Sequence, residues 1–226
     1  MNTQQDRYDI YQIIHKGLRA FLAQTLVDTG RTDWADAERR QAQLAQLRGL
    51  LDLCEHHVEN EDHHLHPAME AVRPGSSGQT AGDHLDHGHH IEALRSRLRQ
   101  IEGAVNGERE RLGEQLYREL AVFVAENFEH MEVEERHNNA VLWAGYRDDQ
   151  IIAIEQRLIA SLPPPVLDQC LHWMLPYATP GQRLGLLTAI RAGAPAEVFG
   201  GLLERLRTQL TPRDWQQLQG GLAQAA

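Results

Sequence analysis

Along residues 6–143, apolar positions recur at alternating steps of three and four, the signature of helices that bury one face. The first helix is expected from about Asp6 to Asp28, with Tyr11, His15, Leu18 and Leu22 in phase. Gly30 in "DTGRTDWAD" stops it, and Asp33 or Asp36 can cap the next helix. That second helix runs from about Asp36 to His66, before Pro67, with Leu47, Leu50, Leu51, Cys54, His57, Val58, Glu61 and Leu65 on its stripe. "RPGSSGQTAG" (73–82) reads as a Gly/Ser loop. A third helix starts near Asp83, carries His84, His87, Ile91, Leu94, Leu98, Ile101 and Val105 in phase, and ends at a short "NGE" turn. A fourth spans about Glu108 to Trp143, with Leu116, Leu120, Phe123, Asn127, His130, Glu134, His137 and Val141. Strand-like alternation is nearly absent. Four one-faced helices joined by short turns predict an all-α, up-down-up-down four-helix bundle.

The bundle is expected to fill residues 1–147, with a C-terminal helical extension over 148–226. "SLPPPVLDQC" breaks the chain after the "RDDQIIAIEQRLIA" helix, and three or four short helices follow. Thr179-Pro180, Ala194-Pro195 and Thr211-Pro212 place proline near a first helical turn, where its missing N–H is no loss. The apolar faces of this region need cover, so it packs on the bundle or joins two copies in a homodimer. His172 stands alone there and reads as structural.

Composition narrows the class. No apolar run approaches the ~18 residues of a membrane span. The first residues show no basic stretch leading into an apolar one, so the expectation is a cytoplasmic protein without a secretory leader. Cys54 and Cys170 form no paired motif, which fits a reducing compartment. A net charge of −10 argues against nucleic-acid partners, because phosphates need a basic surface. The 13 histidines are the departure from an ordinary composition, and they are clustered.

Polar residues interrupt each apolar stripe at one level: His15, then His57 with Glu61, then His84 and His87, then His130 with Glu134. At a rise of ~1.5 Å per residue, these levels fall toward the same end of an antiparallel bundle. Buried carboxylates and imidazoles need partners, and a metal ion is one way to supply them. The spacing also repeats. His57 follows His15 by 42 positions, and His130 follows His87 by 43. In each His-x3-Glu the two side chains share a helix face. Two equivalent half-sites facing each other suggest a two-metal centre. The other histidines of "EHHVENEDHHLH" (55–66), together with His89 and His137, read as solvated or as outer partners, and Cys54 as a small buried hydrophobe.

The order His, His-x3-Glu, His, His-x3-Glu resembles the hemerythrin-like (HHE cation-binding) family, over roughly residues 6 to 146. "IHKGLR", "HHVENEDHHLHPAME" and "FVAENFEHMEVEERHNNAVLWAGY" carry the resemblance. It implies a non-haem centre of two iron ions held by His15, His57, Glu61, His87, His130 and Glu134, with the two glutamates bridging. One departure matters. Oxygen-carrying members have a His-x3-His pair on the third helix, whereas here Ile91 stands four positions after His87. His90 and His84 are further candidates, and a missing ligand leaves an open metal position. The implied function is binding or sensing of oxygen, nitric oxide or peroxide; zinc or manganese also suits a mixed imidazole–carboxylate set. A redox enzyme at the same centre, peroxidase-like, oxidase-like or repairing iron–sulfur clusters, is the first alternative. A helical interaction module with a structural metal is the second. No hydrolase, kinase or dehydrogenase motif is present.

Overall fold

The computed structural model describes residues 7–105 and 107–225. Its bundle consists of α1 (Gln12–Arg31), α2 (Ala37–His64), a short α3 (His66–Val72), α4 (Gly78–Gly103) and α5 (Glu108–Val133). α5 continues through a π turn (Glu134–Asn138) into α6 (Asn139–Gly145). The long helices α1, α2, α4 and α5 contact one another in a closed ring, each beside its neighbours in sequence and α5 beside α1. Leu22, Leu44, Leu47, Leu50, Leu51, Ile101, Leu116 and Leu120 lie fully buried between them. The all-α bundle with extra C-terminal helices is therefore present as the stripes require.

Helix ends differ from the sequence expectation for identifiable reasons. α1 starts at Gln12, where Asp9 Oδ1 accepts from the Tyr11 backbone N–H (3.0 Å); Asp6 lies outside the described residues. α1 also runs through Gly30 to Arg31, because that glycine makes room for the Tyr117 ring, 2.9 Å from where a Cβ would sit. Asp36 caps α2 by accepting from the Arg39 N–H (3.0 Å), which satisfies one orphan donor of the first turn. Pro67 ends nothing: it occupies the first turn of α3, where no N–H is required. The expected 73–82 loop shrinks, since α4 already begins at Gly78 rather than Asp83. The tight turn before it is held by Glu70, whose carboxylate accepts from Gly75 N (2.6 Å), Ser77 N (2.9 Å) and Ser77 Oγ (2.6 Å). Gly75 takes φ +83° there, a conformation costly for other residues.

The extension comprises α7 (Asp148–Ser161), α8 (Pro164–Tyr177), α9 (Pro180–Gly193), α10 (Ala196–Gln209) and α11 (Pro212–Gln224). Thr179 and Thr211 cap α9 and α11 with their hydroxyls, each followed by proline, whereas α10 is preceded by Pro195 itself. α7 adds Ile151 and Ile154 to a second apolar cluster with Tyr11, Leu65, Met69 and Leu142. α8 lies along α1. Trp173 stacks on Phe21 with centroids 4.1 Å apart, and Gly17 lets the backbones meet, its missing Cβ falling 3.1 Å from Met174. Gln169 Nε2 donates to the Gly49 carbonyl on α2 (2.8 Å). α8 to α11 then bury their own cluster of Leu175, Leu187, Leu202, Leu206, Leu218 and Leu222. Among the described residues no helix is long and apolar enough to cross a membrane.

Trp173 couples the extension to the bundle, so Trp173→Ala is expected to lower unfolding free energy by about 2–4 kcal/mol. Urea denaturation followed by circular dichroism measures this, and a change below 0.5 kcal/mol, the scale of a surface substitution, contradicts it.

Candidate metal centre

Each long helix delivers one part of the site. α1 supplies His15, α2 supplies His57 and Glu61, α4 supplies His84, α5 supplies His130, and the π turn supplies Glu134. His57 and Glu61, like His130 and Glu134, stand four residues apart, so each pair projects from one side of its helix. The distances sort these six side chains into two halves. In one, His15 Nε2 lies 3.4 Å from Glu134 Oε2 and 3.9 Å from Glu61 Oε1, and His57 Nε2 lies 3.2 Å from Glu61 Oε1. In the other, His84 Nε2 lies 3.4 Å from Glu61 Oε2 and 3.7 Å from Glu134 Oε1, and His130 Nε2 lies 3.3 Å from Glu134 Oε1. Each glutamate thus turns one oxygen to each half. The donor atoms of each half lie within 4.8 Å of one another.

The site is dry. His15, Glu61, His84, His130 and Glu134 are buried, and His57 is nearly so. Among the described residues, no hydrogen-bond partner meets any of the four carboxylate oxygens of Glu61 and Glu134, nor His15 Nε2 or His57 Nε2. Buried polar atoms left this way cost free energy, and a cation between the carboxylates would satisfy them together. The residues present therefore fit a metal centre.

Around the core, acids hold three of the four imidazoles by their other nitrogen. His15 Nδ1 faces Glu135 Oε1 (3.0 Å), His84 Nδ1 faces Asp62 Oδ1 (2.8 Å), and His130 Nδ1 faces Asp83 Oδ2 (3.2 Å). Such partners fix ring orientation and leave Nε2 free as a donor to metal. Asp62 also meets His66 Nδ1 (2.8 Å), and the His66 and His84 rings stack at 4.9 Å. Thus Asp62, His66 and His84 form a third histidine–acid group that shares His84 with the centre. The π turn admits Glu134 and Asn138 to the interior, and Asn139 Nδ2 donates to the Glu135 carbonyl (3.0 Å) and to Asp9 Oδ1 (2.7 Å). π turns recur where a helix must present function.

Charge within the core is coupled. Burial disfavours the charged form of His15, but Glu135, Glu61 and Glu134 outweigh it and push the pKa up to about 9. His84 rises to about 10 in the same way, against burial, through Glu134, Glu61 and Asp62. Burial depresses His57, and burial with the neighbouring His130 and His84 takes His87 down to about 3. The Tyr11 phenol is held well above its ordinary value by burial and by the charges of Glu134 and Glu61, and Asn138 Nδ2 donates to its oxygen (3.4 Å).

The structure brings His15, His57, Glu61, His130 and Glu134 together. The fourth imidazole among them is His84, one turn earlier on α4 than His87, which the repeat spacing favoured. His87 is buried beside the core, its ring 4.8 Å from that of His130, with Nδ1 unpartnered. His90 lies outside, half-exposed, its Nδ1 2.7 Å from Glu126. The outer acids Asp62 and Glu135 carry a readable signal that motif spacing passed over: each directly follows a core glutamate, in the pairs Glu61-Asp62 and Glu134-Glu135. Tyr11 stands on the α1 stripe one turn before His15, whereas Asn138 carries no such signal.

Residues 7–141 match the family model of the hemerythrin HHE cation binding domain, a segment that contains every core residue. No curated protein and no solved structure matches the chain.

Protonated His15 and His84 neutralise the core carboxylates in the metal-free protein at pH 7. Their raised values mean the stabilisation is complete below ~6.5 and lost as pH rises through 9 to 10. Loading with a divalent cation at pH 7 is therefore expected to release on the order of two protons per chain. A pH indicator in weak buffer reads this, and cation uptake without proton release contradicts it.

Proposed function

The chain belongs to the hemerythrin HHE cation-binding family, and from that premise we propose a non-haem di-iron protein that binds or senses oxygen, nitric oxide or peroxide. One observation carries the reading: two buried glutamates each offer one oxygen to each of two histidine pairs. On this reading His15, His57, His84 and His130, with Glu61 and Glu134, would hold the ions. His87, beside His130, would be a further ligand. Iron suits this nitrogen–oxygen donor set, and without cysteine ligands an iron–sulfur cluster does not. When bound, such a pair of ions supplies one-electron redox chemistry and open positions for a small ligand.

The chain's own residues set the conditions. The two glutamates offset the metal charge inside a region that excludes water, which keeps a reactive centre from side reactions. Glu135, Asp62 and Asp83 hold His15, His84 and His130 in the tautomer that leaves Nε2 available. Tyr11 keeps its proton beside the carboxylates and so presents a hydroxyl rather than a second buried anion.

Elemental analysis of protein purified without chelator is expected to give about two irons per chain, as in other bundle di-iron carboxylate proteins. Because each glutamate serves both halves, Glu61→Ala or Glu134→Ala should lose both ions together. Anaerobically reduced protein should change its visible spectrum on titration with oxygen, nitric oxide or hydrogen peroxide. Zinc in place of iron, or a spectrum indifferent to all three, refutes the proposal and leaves a structural metal.

A further inference from the structure

A groove of about 420 Å³ opens between α4 and α5 on the outside of the His84/His130 half. Its walls carry Asp83, Asp86, Glu126 and Glu129, and its lining reaches His87, His90 and His130. No lysine or arginine lines it. The groove is therefore a concave surface of one charge sign, the kind that concentrates counter-ions of the opposite sign. Two facts separate it from an ordinary acidic patch. His130, one of its lining residues, is itself a donor of the buried core. His87, another, is 4 % exposed and keeps an Nδ1 with no hydrogen-bond partner, which is costly unless a ligand visits it.

We propose that this groove is the entry port through which divalent cations reach the buried centre. The inference rests on the centre being a metal site. Asp86 and Glu129 are exposed and sit at the mouth, where they attract the hydrated ion. His90 and Glu126, 2.7 Å apart, offer one nitrogen and one oxygen donor on opposite walls. His87 and His130 lie at the inner end, so an ion that sheds water can exchange it for imidazole without crossing apolar packing. His57, in the other half, is the one core donor more exposed than His130, so the groove is the route on this side of the centre. The core donors of this half would then receive an ion before those of His15 and His57.

The test is the rate of Co²⁺ uptake by metal-stripped full-length protein, followed by visible absorption in a stopped-flow instrument. Asp86→Asn combined with Glu129→Gln removes two charges at the mouth and touches no core donor. Glu110→Gln with Glu114→Gln removes the same charge from an exposed stretch of α5 elsewhere and serves as control. The mouth variant should load about tenfold more slowly to the same final cobalt content, with a weaker dependence on salt, while the control loads like the parent. Equal rates in all three proteins overturn the port. An unchanged rate with a lower endpoint also overturns it, because the two acids would then act on the bound state. A parent protein that takes up no cobalt at all removes the metal centre first, and the port with it.

Discussion

Two carboxylates with no hydrogen-bond partner, placed at the centre of a helical bundle, are the constraint to which this structure answers. Glu61 and Glu134 are 2 % and 0 % exposed, and all four of their oxygens lack a hydrogen bond. Isolated, each would be far too costly to keep ionised. The surrounding residues are arranged to supply positive charge: four imidazoles point Nε2 at the pair, and acids outside hold three of those rings in place. The same arrangement serves two states. Without metal, protons on His15 and His84 provide compensating charge; a bound cation would take over that part.

Once that requirement is set, much of the bundle follows. The four long helices must bring their polar levels to one height, so the leucine core lies to one side of the site and the Tyr11, Leu65, Met69 and Leu142 cluster closes the other. The π turn falls at Glu134, where one extra residue per turn lets the chain point Glu134 inward and still give Glu135 to His15. Glu61 needs no such device, because Asp62 reaches His84 on the adjacent helix from regular α geometry. The two halves are thus alike in chemistry and different in backbone.

The sequence was most legible where periodicity and pairing coincide. His57 with Glu61, and His130 with Glu134, stand at one-turn spacing on apolar stripes, so their helices, their faces and their meeting point could all be read. His15 followed from the register. The third helix was harder, because it carries His84, His87, His89 and His90 within seven positions and several of them fit a helical face. The repeat spacing selects His87, which the structure sets beside His130. Only side-chain packing distinguishes His84, which meets both glutamates, from His87, which meets the flank of His130. The helix ends were obscured by residues with two uses: Gly30 and Pro67 resemble stops, yet one admits a neighbouring ring and the other opens a new helix. The C-terminal helices were visible from their prolines, whereas their seat against α1 depends on Phe21, Gly17 and Trp173, far apart in the chain and individually unremarked.

That seat makes α1 a shared wall. His15 faces the bundle interior, while Lys16 Nζ donates to Gln182 Oε1 on α9 (2.8 Å) and Gly17 touches α8. Three consecutive residues thus belong to two different packing problems. Thermodynamic linkage is reciprocal: a ligand that changes the freedom of α1 at one flank changes it at the other by the same free energy. A ligand of His15 that altered the freedom of α1 would alter its hold on α8 and α9 by the same free energy.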